Sequence, residues 1–215
     1  MTKILIAAYN EEGNIGRVVK DFARHGNVVV CDNGSSDRTA EEAKEAGAKV
    51  IKAPKGKGNA VRELLKEDGD VYLLVDGDGA FSHDCLEKVL DPIRRGKADM
   101  VIAKRLNIDE HNRKSPFIRR ITLRLLQYIF NKMFHDHNKI YDFMSGMRAF
   151  TKQVREKLNL KSKGFGIETE MTIQAIRKEF VIKEVEVAVN PRRHGMQKSN
   201  IINVGLPVMR LVMFG

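Results

Sequence analysis

Two carboxylates separated by a single glycine follow an apolar run, in a pattern suited to binding a divalent metal. Residues 72–75 are Tyr-Leu-Leu-Val, and Asp76, Gly77 and Asp78 come directly after them. Oxygen ligands at positions i and i+2 of a sharp turn suit Mg²⁺ or Mn²⁺, which usually completes its coordination shell with water and phosphates. An isolated Asp-Gly-Asp segment is more often a plain turn between a strand and a helix. The metal hypothesis therefore depends on what surrounds the pair.

Polar segments also follow the first two apolar runs of the chain, at 8–11 and at 32–35. The carboxyl ends of parallel strands share one edge of an open α/β sheet, and ligands bind at that edge. Carboxylates there accept hydrogen bonds from a base or a ribose, and nearby helix N-termini suit a diphosphate. The alternative is that Asn10, Asp32 and Asp37 only cap turns and helices. Three polar strand ends in succession favour a nucleotide site.

The elements that must position these residues alternate regularly over the first hundred residues. Continuous apolar runs predict buried strands at 4–8, 27–31, 49–52, 71–75 and 100–103. The stretches between them predict helices at 12–24, 37–46, 57–67 and 84–95. Beyond residue 105 the sequence predicts an amphipathic segment at 117–134, a strand near 147–150, a helix at 168–180 and a strand at 181–189. Such alternation is typical of an α/β domain whose mostly parallel central sheet is flanked by helices.

The composition predicts one globular domain that prefers anionic partners. The chain has 215 residues, of which 42% are hydrophobic, and its 38 Lys and Arg against 28 Asp and Glu give a formal charge of +10. This charge suits nucleotides, lipid phosphates, membrane headgroups or nucleic acid. No groove-reading or aromatic-rich RNA motif supports nucleic acid. A non-catalytic nucleotide- or nucleic-acid-binding module is therefore the less favoured hypothesis.

The cysteines and the N-terminus predict a cytoplasmic protein. Cys31 and Cys85 form neither a disulfide framework nor a metal motif, and both are expected to be inert core residues. The first apolar run is too short and wrongly flanked for a signal peptide. Residues 200–215 are predicted to form an apolar C-terminal tail that is too short to cross a bilayer unaided.

The ordered motifs of the chain resemble family 2 glycosyltransferases, which have the GT-A fold. These motifs are AAYNEEGNIG at 7–16, DNGSSDRT at 32–39, KGKGNA at 55–60 and DGDG at 76–79. Further along, DFMSGMR at 142–148 is similar to the family's D-x-x-S-G-x-R segment, and GFGIETE at 164–170 is similar to its acidic helix start. RRHGMQK at 192–198 resembles the basic R-x-x-G-x-S-K loop of the polyprenyl-phosphate sugar transferases, with Gln197 where serine is usual. Each motif is short, but their joint order is specific.

The resemblance implies a single GT-A domain over residues 1–199 that binds a nucleotide-sugar donor and a metal. Asp76 and Asp78 are expected to hold Mg²⁺ or Mn²⁺ against the donor's diphosphate. Lys57 is expected to approach a donor phosphate; the alternative is that its glycine-rich turn simply starts a helix. The expected donor-binding residues are Ala8, Tyr9, Asn10, Glu11, Asp32, Gly34, Ser35, Lys57, Gly58, Asp76 and Gly77.

The resemblance also implies an acceptor side. Asp78, Glu168 and Glu170 are the expected catalytic residues. The glutamates are candidate bases for a hydroxyl acceptor, whereas a lipid phosphate is already an anionic nucleophile and needs none. A favourable interaction with the helix dipole is the alternative for both glutamates, and an internal structural pair is the alternative for Arg148. The expected acceptor-phosphate residues are Arg120, Ser145, Arg148, Arg192 and Lys198.

The functional hypothesis is an inverting transfer of a hexose from UDP-glucose or GDP-mannose to dolichyl or polyprenyl phosphate. A soluble sugar or glycan acceptor is the alternative. For the lipid acceptor, the tail at 200–215 and the arginine-rich segment at 113–124 are expected to contact the cytoplasmic membrane face as amphipathic anchors. Ordinary packing against the sheet is the other interpretation of both segments.

Overall fold

A seven-stranded sheet organises the part of the chain that the computed structural model describes. This part comprises residues 1–106, 117–134, 140–190 and 210–211, with the backbone alone described at 117–120, 122 and 123. The strands are β1 Thr2–Ala8, β2 Asn27–Asp32, β3 Lys49–Lys52, β4 Val71–Asp76, β5 Met100–Arg105, β6 Arg148–Thr151 and β7 Ile182–Val187. Their order across the sheet is β3-β2-β1-β4-β6-β5-β7. Only β6 runs antiparallel to its neighbours, so the predicted mostly parallel sheet is confirmed.

Helices connect most of the strands, close to where the sequence predicts them. They are α1 Glu12–Ala23, α2 Thr39–Glu45, α3 Lys57–Leu64, α4 Leu86–Arg94, α5 Phe117–Met133, α6 Lys152–Lys157 and α7 Ile167–Arg177. Helix α2 begins at Thr39 rather than at residue 37, because the Asp37 carboxylate accepts the backbone N–H of Thr39 at 3.0 Å. Helix α6 is absent from the predicted elements, since its six residues are too few to show a helical period.

Both faces of the sheet are buried, which explains the unbroken apolar runs. In β4, Tyr72 and Leu74 face one hydrophobic cluster, and Leu73 and Val75 face the other. The first cluster includes residues of α3, α5 and α7, and the second includes residues of α1 and α4. The polar residues at the strand ends therefore emerge at an edge held rigidly between two helical layers.

The two cysteines lie in the core, as predicted. Cys31 belongs to the first hydrophobic cluster and Cys85 to the second. Burial raises the pKa of Cys31 to about 12 and that of Cys85 to about 11, so neither forms a reactive thiolate at neutral pH.

Little of the predicted C-terminal tail is described. Arg210 is exposed, whereas Leu211 packs against the first hydrophobic cluster. The boundary proposed at residues 199 and 200 lies outside the described residues and stays a prediction. Within the described ranges, no helix combines the length and the apolar character needed to cross a bilayer.

Candidate active site

The carboxyl ends of β1, β2 and β4 lie side by side, as the polar strand ends predict. Ala7 pairs with Asp76 on one side of β1, and Ala8 pairs with Asp32 on the other. The backbone pairing continues past the strands, because Gly77 donates its N–H to the Ala7 carbonyl at 3.2 Å. Asp32 and Asp76 therefore open onto the same edge of the sheet, on either side of β1.

Hydrogen bonds join the loops after β1 and β2 into one shelf. The Asn10 N–H donates to the Ser35 hydroxyl at 2.9 Å, and the Ser36 N–H donates to the Asn10 side-chain oxygen at 2.8 Å. The Ser35 N–H donates to the Asp32 carboxylate at 3.1 Å, and Gly34 occupies the left-handed region with φ 89°. Asn10 and Asp32 therefore do form the local turn and capping hydrogen bonds. Their contacts with a donor nucleotide stay predictions.

Tyr9 and Glu11, also predicted at the donor, have different surroundings. The Lys55 ammonium lies 4.9 Å from the centre of the Tyr9 ring. Glu11 is buried, and its carboxylate accepts a hydrogen bond from the Asn14 side chain at 2.8 Å. Its N–H donates to the Thr39 hydroxyl at 2.7 Å. Glu11 therefore ties the start of α1 to the start of α2, which favours a supporting role.

Lys57 brings together two carboxylates that are far apart in sequence. Its ammonium nitrogen lies 2.5 Å from an oxygen of Asp76 and 2.5 Å from an oxygen of Glu168. The Glu168 side chain is only 3% exposed, and those of Lys57 and Asp76 are 15% and 28% exposed. Burial alone would lower the pKa of Lys57, but the Asp76 and Glu168 carboxylates outweigh burial and raise it above its ordinary value. Lys57 is therefore a permanent cation at this edge.

Glycines allow the close approach that this cluster requires. A Cβ at Gly58 would lie 2.1 Å from the Ser162 carbonyl oxygen, and the Gly58 N–H donates to the Lys163 carbonyl at 3.0 Å. A Cβ at Gly146 would lie 2.1 Å from an oxygen of Asp76. The first turn of α3 and the segment before β6 can thus press against their neighbours only because these positions lack a side chain.

Glu170 fixes the segment that α3 presses against. Its two carboxylate oxygens accept the N–H groups of Lys161 and Ser162, each at 2.8 Å. The side chain is buried, with 7% of the residue exposed. This geometry favours a positioning role for Glu170 over that of a base. Of the two glutamates predicted to be catalytic, Glu168 is the one in contact with Lys57.

Arg148 and Ser145, predicted at the acceptor phosphate, lie inside the protein instead. Both residues are 0% exposed. The Arg148 guanidinium donates to the backbone carbonyls of Glu168 at 2.7 Å and Ser145 at 2.6 Å, and the Ser145 hydroxyl donates to the Ala103 carbonyl at 2.6 Å. Burial lowers the pKa of Arg148 to about 10, so it stays charged at neutral pH. This geometry corrects the prediction that Arg148 and Ser145 contact the acceptor phosphate. Both side chains instead bind backbone carbonyls inside the protein.

Arg105, at the end of β5, was not singled out from the sequence. Its guanidinium donates to both oxygens of the buried Asp142 carboxylate, each at 2.8 Å. Burial alone would lower the pKa of Arg105, but Asp142 and, beyond it, Asp76 and Glu168 raise it. Arg105 therefore belongs to the same electrostatic neighbourhood as the Lys57 cluster. Its place at a strand's carboxyl end is the sequence signal that would have found it.

The remaining predicted acceptor residues cannot be placed. Arg120 lies in the described backbone of α5, but its side chain is not described, and Arg192 and Lys198 lie outside the described residues. All three stay predictions.

The carboxylates at this edge fit a divalent metal that takes further ligands from a substrate. The Asp76 and Glu168 carboxylates converge on one cation, the Lys57 ammonium. An oxygen of Asp78 accepts the Ala80 N–H at 3.0 Å. Within the described ranges, no three His, Cys, Asp or Glu residues group closely enough to hold a metal by themselves. Mg²⁺ and Mn²⁺ commonly bind one or two carboxylates together with phosphates and water, so Asp76 and Asp78 would hold such an ion only together with a substrate.

A mostly parallel sheet with carboxylates at the carboxyl ends of its strands agrees with the GT-A fold expected of a family 2 glycosyltransferase. The chain matches the model of glycosyl transferase family 2 over residues 3–158 and belongs to that family.

Characterised relatives and solved structures agree with this assignment. The chain is 36% identical to glycosyltransferase AglJ of Haloferax volcanii over 89% of its own length and 64% of AglJ, so it spans less than two thirds of that relative. It is 31% identical to a dolichyl-phosphate hexose transferase of the same organism, over 88% of this chain and 82% of that protein. Glucosyl-3-phosphoglycerate synthase of Mycobacterium tuberculosis, solved with Mn²⁺, UDP-glucose and phosphoglyceric acid, has the same fold, with a TM-score of 0.83 at 18% identity over 99% of this chain and 78% of that one.

The close approach of Gly146 to Asp76 provides a test of the role of Asp76. We expect Gly146→Ala to reduce sugar transfer by about a hundredfold, because the new methyl group must displace the Asp76 carboxylate. Gly164→Ala is the matched control, since a Cβ there meets nothing within 4 Å. Steady-state transfer rates, with circular dichroism to verify folding, measure the effect. Equal rates for the two folded variants would contradict the role of Asp76.

The internal role of Arg148 can be tested by measuring the stability of the protein. Replacing it in Arg148→Met strands buried carbonyl groups, so we expect the free energy of unfolding to fall by about 3 kcal/mol. Arg177→Met, on the exposed side of α7, should change it by less than about 0.5 kcal/mol. Urea unfolding of both variants measures the difference. If Arg148→Met kept wild-type stability and lost only acceptor use, the original prediction would be restored.

Proposed function

We propose that this protein is an inverting, metal-dependent hexosyltransferase that moves a hexose from UDP-glucose or GDP-mannose to dolichyl or polyprenyl phosphate. The observation that carries the proposal is the Lys57 cluster, with Asp76 at the sheet edge beside the shelf formed by the loops after β1 and β2. The relative named dolichyl-phosphate hexose transferase supports the lipid phosphate as acceptor. The Mn²⁺ and UDP-glucose bound to the structural neighbour support the donor and the metal.

On the donor side, different residues of this chain would contact different parts of the nucleotide sugar. The Asp32 to Ser35 loop would take the base or ribose by hydrogen bonding, and Lys57 would face the diphosphate. Asp76 and Asp78 would hold Mg²⁺ or Mn²⁺, which supplies charge stabilisation for the leaving diphosphate. Glu168 would keep the Lys57 ammonium at the edge of the sheet.

On the acceptor side, a lipid phosphate oxygen would attack the anomeric carbon from the face opposite the diphosphate. The new carbon–oxygen bond forms as the bond to the nucleoside diphosphate breaks, which inverts the anomeric centre. Because the phosphate is already anionic, no protein base has to remove a proton. The positioning role of Glu170 agrees with this requirement. We propose Arg120, Arg192 and Lys198 as the acceptor-phosphate ligands, since cationic side chains pair with phosphate oxygens.

A lipid acceptor brings the protein to a membrane surface, and we propose that α5 makes that contact from the cytoplasmic side. Ile121, Leu125 and Tyr128 of this helix are 50%, 47% and 65% exposed. Arg124 and Lys132 are exposed on the same helix. Exposed apolar side chains accompanied by basic ones are typical of helices that lie on anionic membrane surfaces.

The acceptor is identified by where the labelled sugar goes. With radiolabelled UDP-glucose or GDP-mannose, polyprenyl phosphate and Mn²⁺, we expect label to pass into the organic phase. Asp78→Asn and removal of the metal by EDTA should each reduce transfer by about a hundredfold or more, because the diphosphate then leaves without charge stabilisation. Label that enters only water-soluble products would instead establish the soluble sugar or glycan acceptor.

Membrane contact is tested separately from catalysis. We expect Leu125→Glu to weaken binding to anionic phospholipid vesicles by about tenfold or more, since it removes apolar contact and adds a repelled charge. Val181→Glu is the matched control, because Val181 is a similarly exposed hydrophobic residue, 52% against 47%, directly before β7. Vesicle co-sedimentation gives both affinities. Equal affinities for the two variants would remove α5 from the membrane contact.

A further inference from the structure

The Lys57 ammonium lies between two carboxylates at the edge of the sheet. We propose that Lys57 is an exchangeable internal counter-ion, which leaves its position between Asp76 and Glu168 when a divalent metal and the donor's diphosphate bind. This inference rests on the metal-dependent donor site of the proposed function. It adds to that function a specific competition between a side chain and the metal.

The first argument is charge. Asp76 and Glu168 are two mostly enclosed carboxylates that meet at one point, and such a pair is costly without a positive charge between them. Lys57 supplies that charge at 2.5 Å from each. Arg105 contributes at longer range, but its guanidinium is already engaged by both oxygens of Asp142. Among the described residues, Lys57 is the cation in direct contact with Asp76.

The second argument is the orientation of Asp76. Its Oδ2 faces Gly146, so closely that a Cβ there would lie 2.1 Å away. Its Oδ1 is the oxygen in contact with the Lys57 ammonium. A metal ligated by Oδ1 would share this oxygen with the ammonium, at about 2.0–2.6 Å from it, and two cations on one oxygen repel each other. The metal and the ammonium therefore compete for the same oxygen.

The third argument is which part can move. The backbone at Lys57 is held, because the Gly58 N–H donates to the Lys163 carbonyl and Glu170 fixes the two residues before Lys163. The lysine side chain is a flexible four-carbon stem carrying a compact charge. Exchange thus needs only a rotation of the Lys57 side chain, while α3 stays in place.

Exchange of this kind couples the metal to the nucleotide. A metal that binds alone to Asp76 must break the Lys57–Asp76 ion pair, and the displaced ammonium gains no new anion in its place. When a diphosphate binds together with the metal, the ammonium has phosphate oxygens to pair with. Metal and nucleoside diphosphate should therefore strengthen each other's binding in the wild-type protein.

The test is Mn²⁺ binding without nucleotide, measured by the electron paramagnetic resonance signal of free Mn²⁺. We expect Lys57→Met to bind Mn²⁺ at least about tenfold more tightly than wild type, or about 1.4 kcal/mol. Lys55→Met is the matched control: it removes the same charge from the same turn, but the Lys55 ammonium lies over Tyr9. This control should bind Mn²⁺ as wild type does. Addition of UDP or GDP should raise the Mn²⁺ affinity of wild type more than that of Lys57→Met.

Several outcomes would overturn the inference. If Lys57→Met bound Mn²⁺ no more tightly than wild type, or if Lys55→Met gained as much, Lys57 would not compete with the metal, and the metal role itself would stand. If neither wild type nor Lys57→Met bound Mn²⁺ with or without UDP, the proposed metal dependence would fail together with the inference.

A measurement on the wild-type protein covers the case in which Lys57→Met does not fold. The side-chain ¹⁵N resonance of Lys57, assigned by its absence in Lys57→Arg, should shift when Mg²⁺ and UDP are added. A resonance that stays unchanged at saturating Mg²⁺ and UDP would overturn the inference.

Discussion

The contact of the Lys57 ammonium with Asp76 and Glu168 joins the start of α3, the end of β4 and the start of α7. These elements come from three separate parts of the chain, and no local preference brings their ends together. Two enclosed carboxylates that meet at one point repel each other, and the Lys57 ammonium between them offsets that repulsion. The cation therefore allows both side chains to approach the same point at the edge of the sheet.

This contact in turn constrains the backbone around it. For Lys57 to reach Asp76, the first turn of α3 must lie against residues 162 and 163, which is why position 58 is glycine. Glu170 holds that segment by two backbone N–H groups, and the buried Arg148 holds the carbonyl of Glu168. Glu170 and Arg148, which belong to motifs expected to act in catalysis or ligand binding, thus support the contact of Lys57 with Asp76 and Glu168.

The strands and the edge that they share were predictable, because continuous apolar runs and the polar residues behind them are local signals. The ion pair between Lys57 and Glu168 was not, because the two residues are over a hundred positions apart and only tertiary packing makes them neighbours. The same limit explains Arg148. A guanidinium in a motif implies an anion, yet inside the core backbone carbonyls satisfy most of its donors. Arg105 was missed for the complementary reason, since its partner Asp142 follows only after a long intervening segment.

Because Arg148 and Ser145 turn inward, we propose that residues following the strands at this same edge recognise the acceptor phosphate. Strands β5 and β7 are parallel neighbours, and Arg105 pairs with Val187 where both strands end. Beyond β7, Asn190 donates its N–H to the Ala80 carbonyl at 2.8 Å, just past Asp78. The chain therefore enters its basic 192–198 segment from a point fixed to the carboxylate loop, which is the starting position that an acceptor-binding segment needs if it is to deliver a phosphate to the donor.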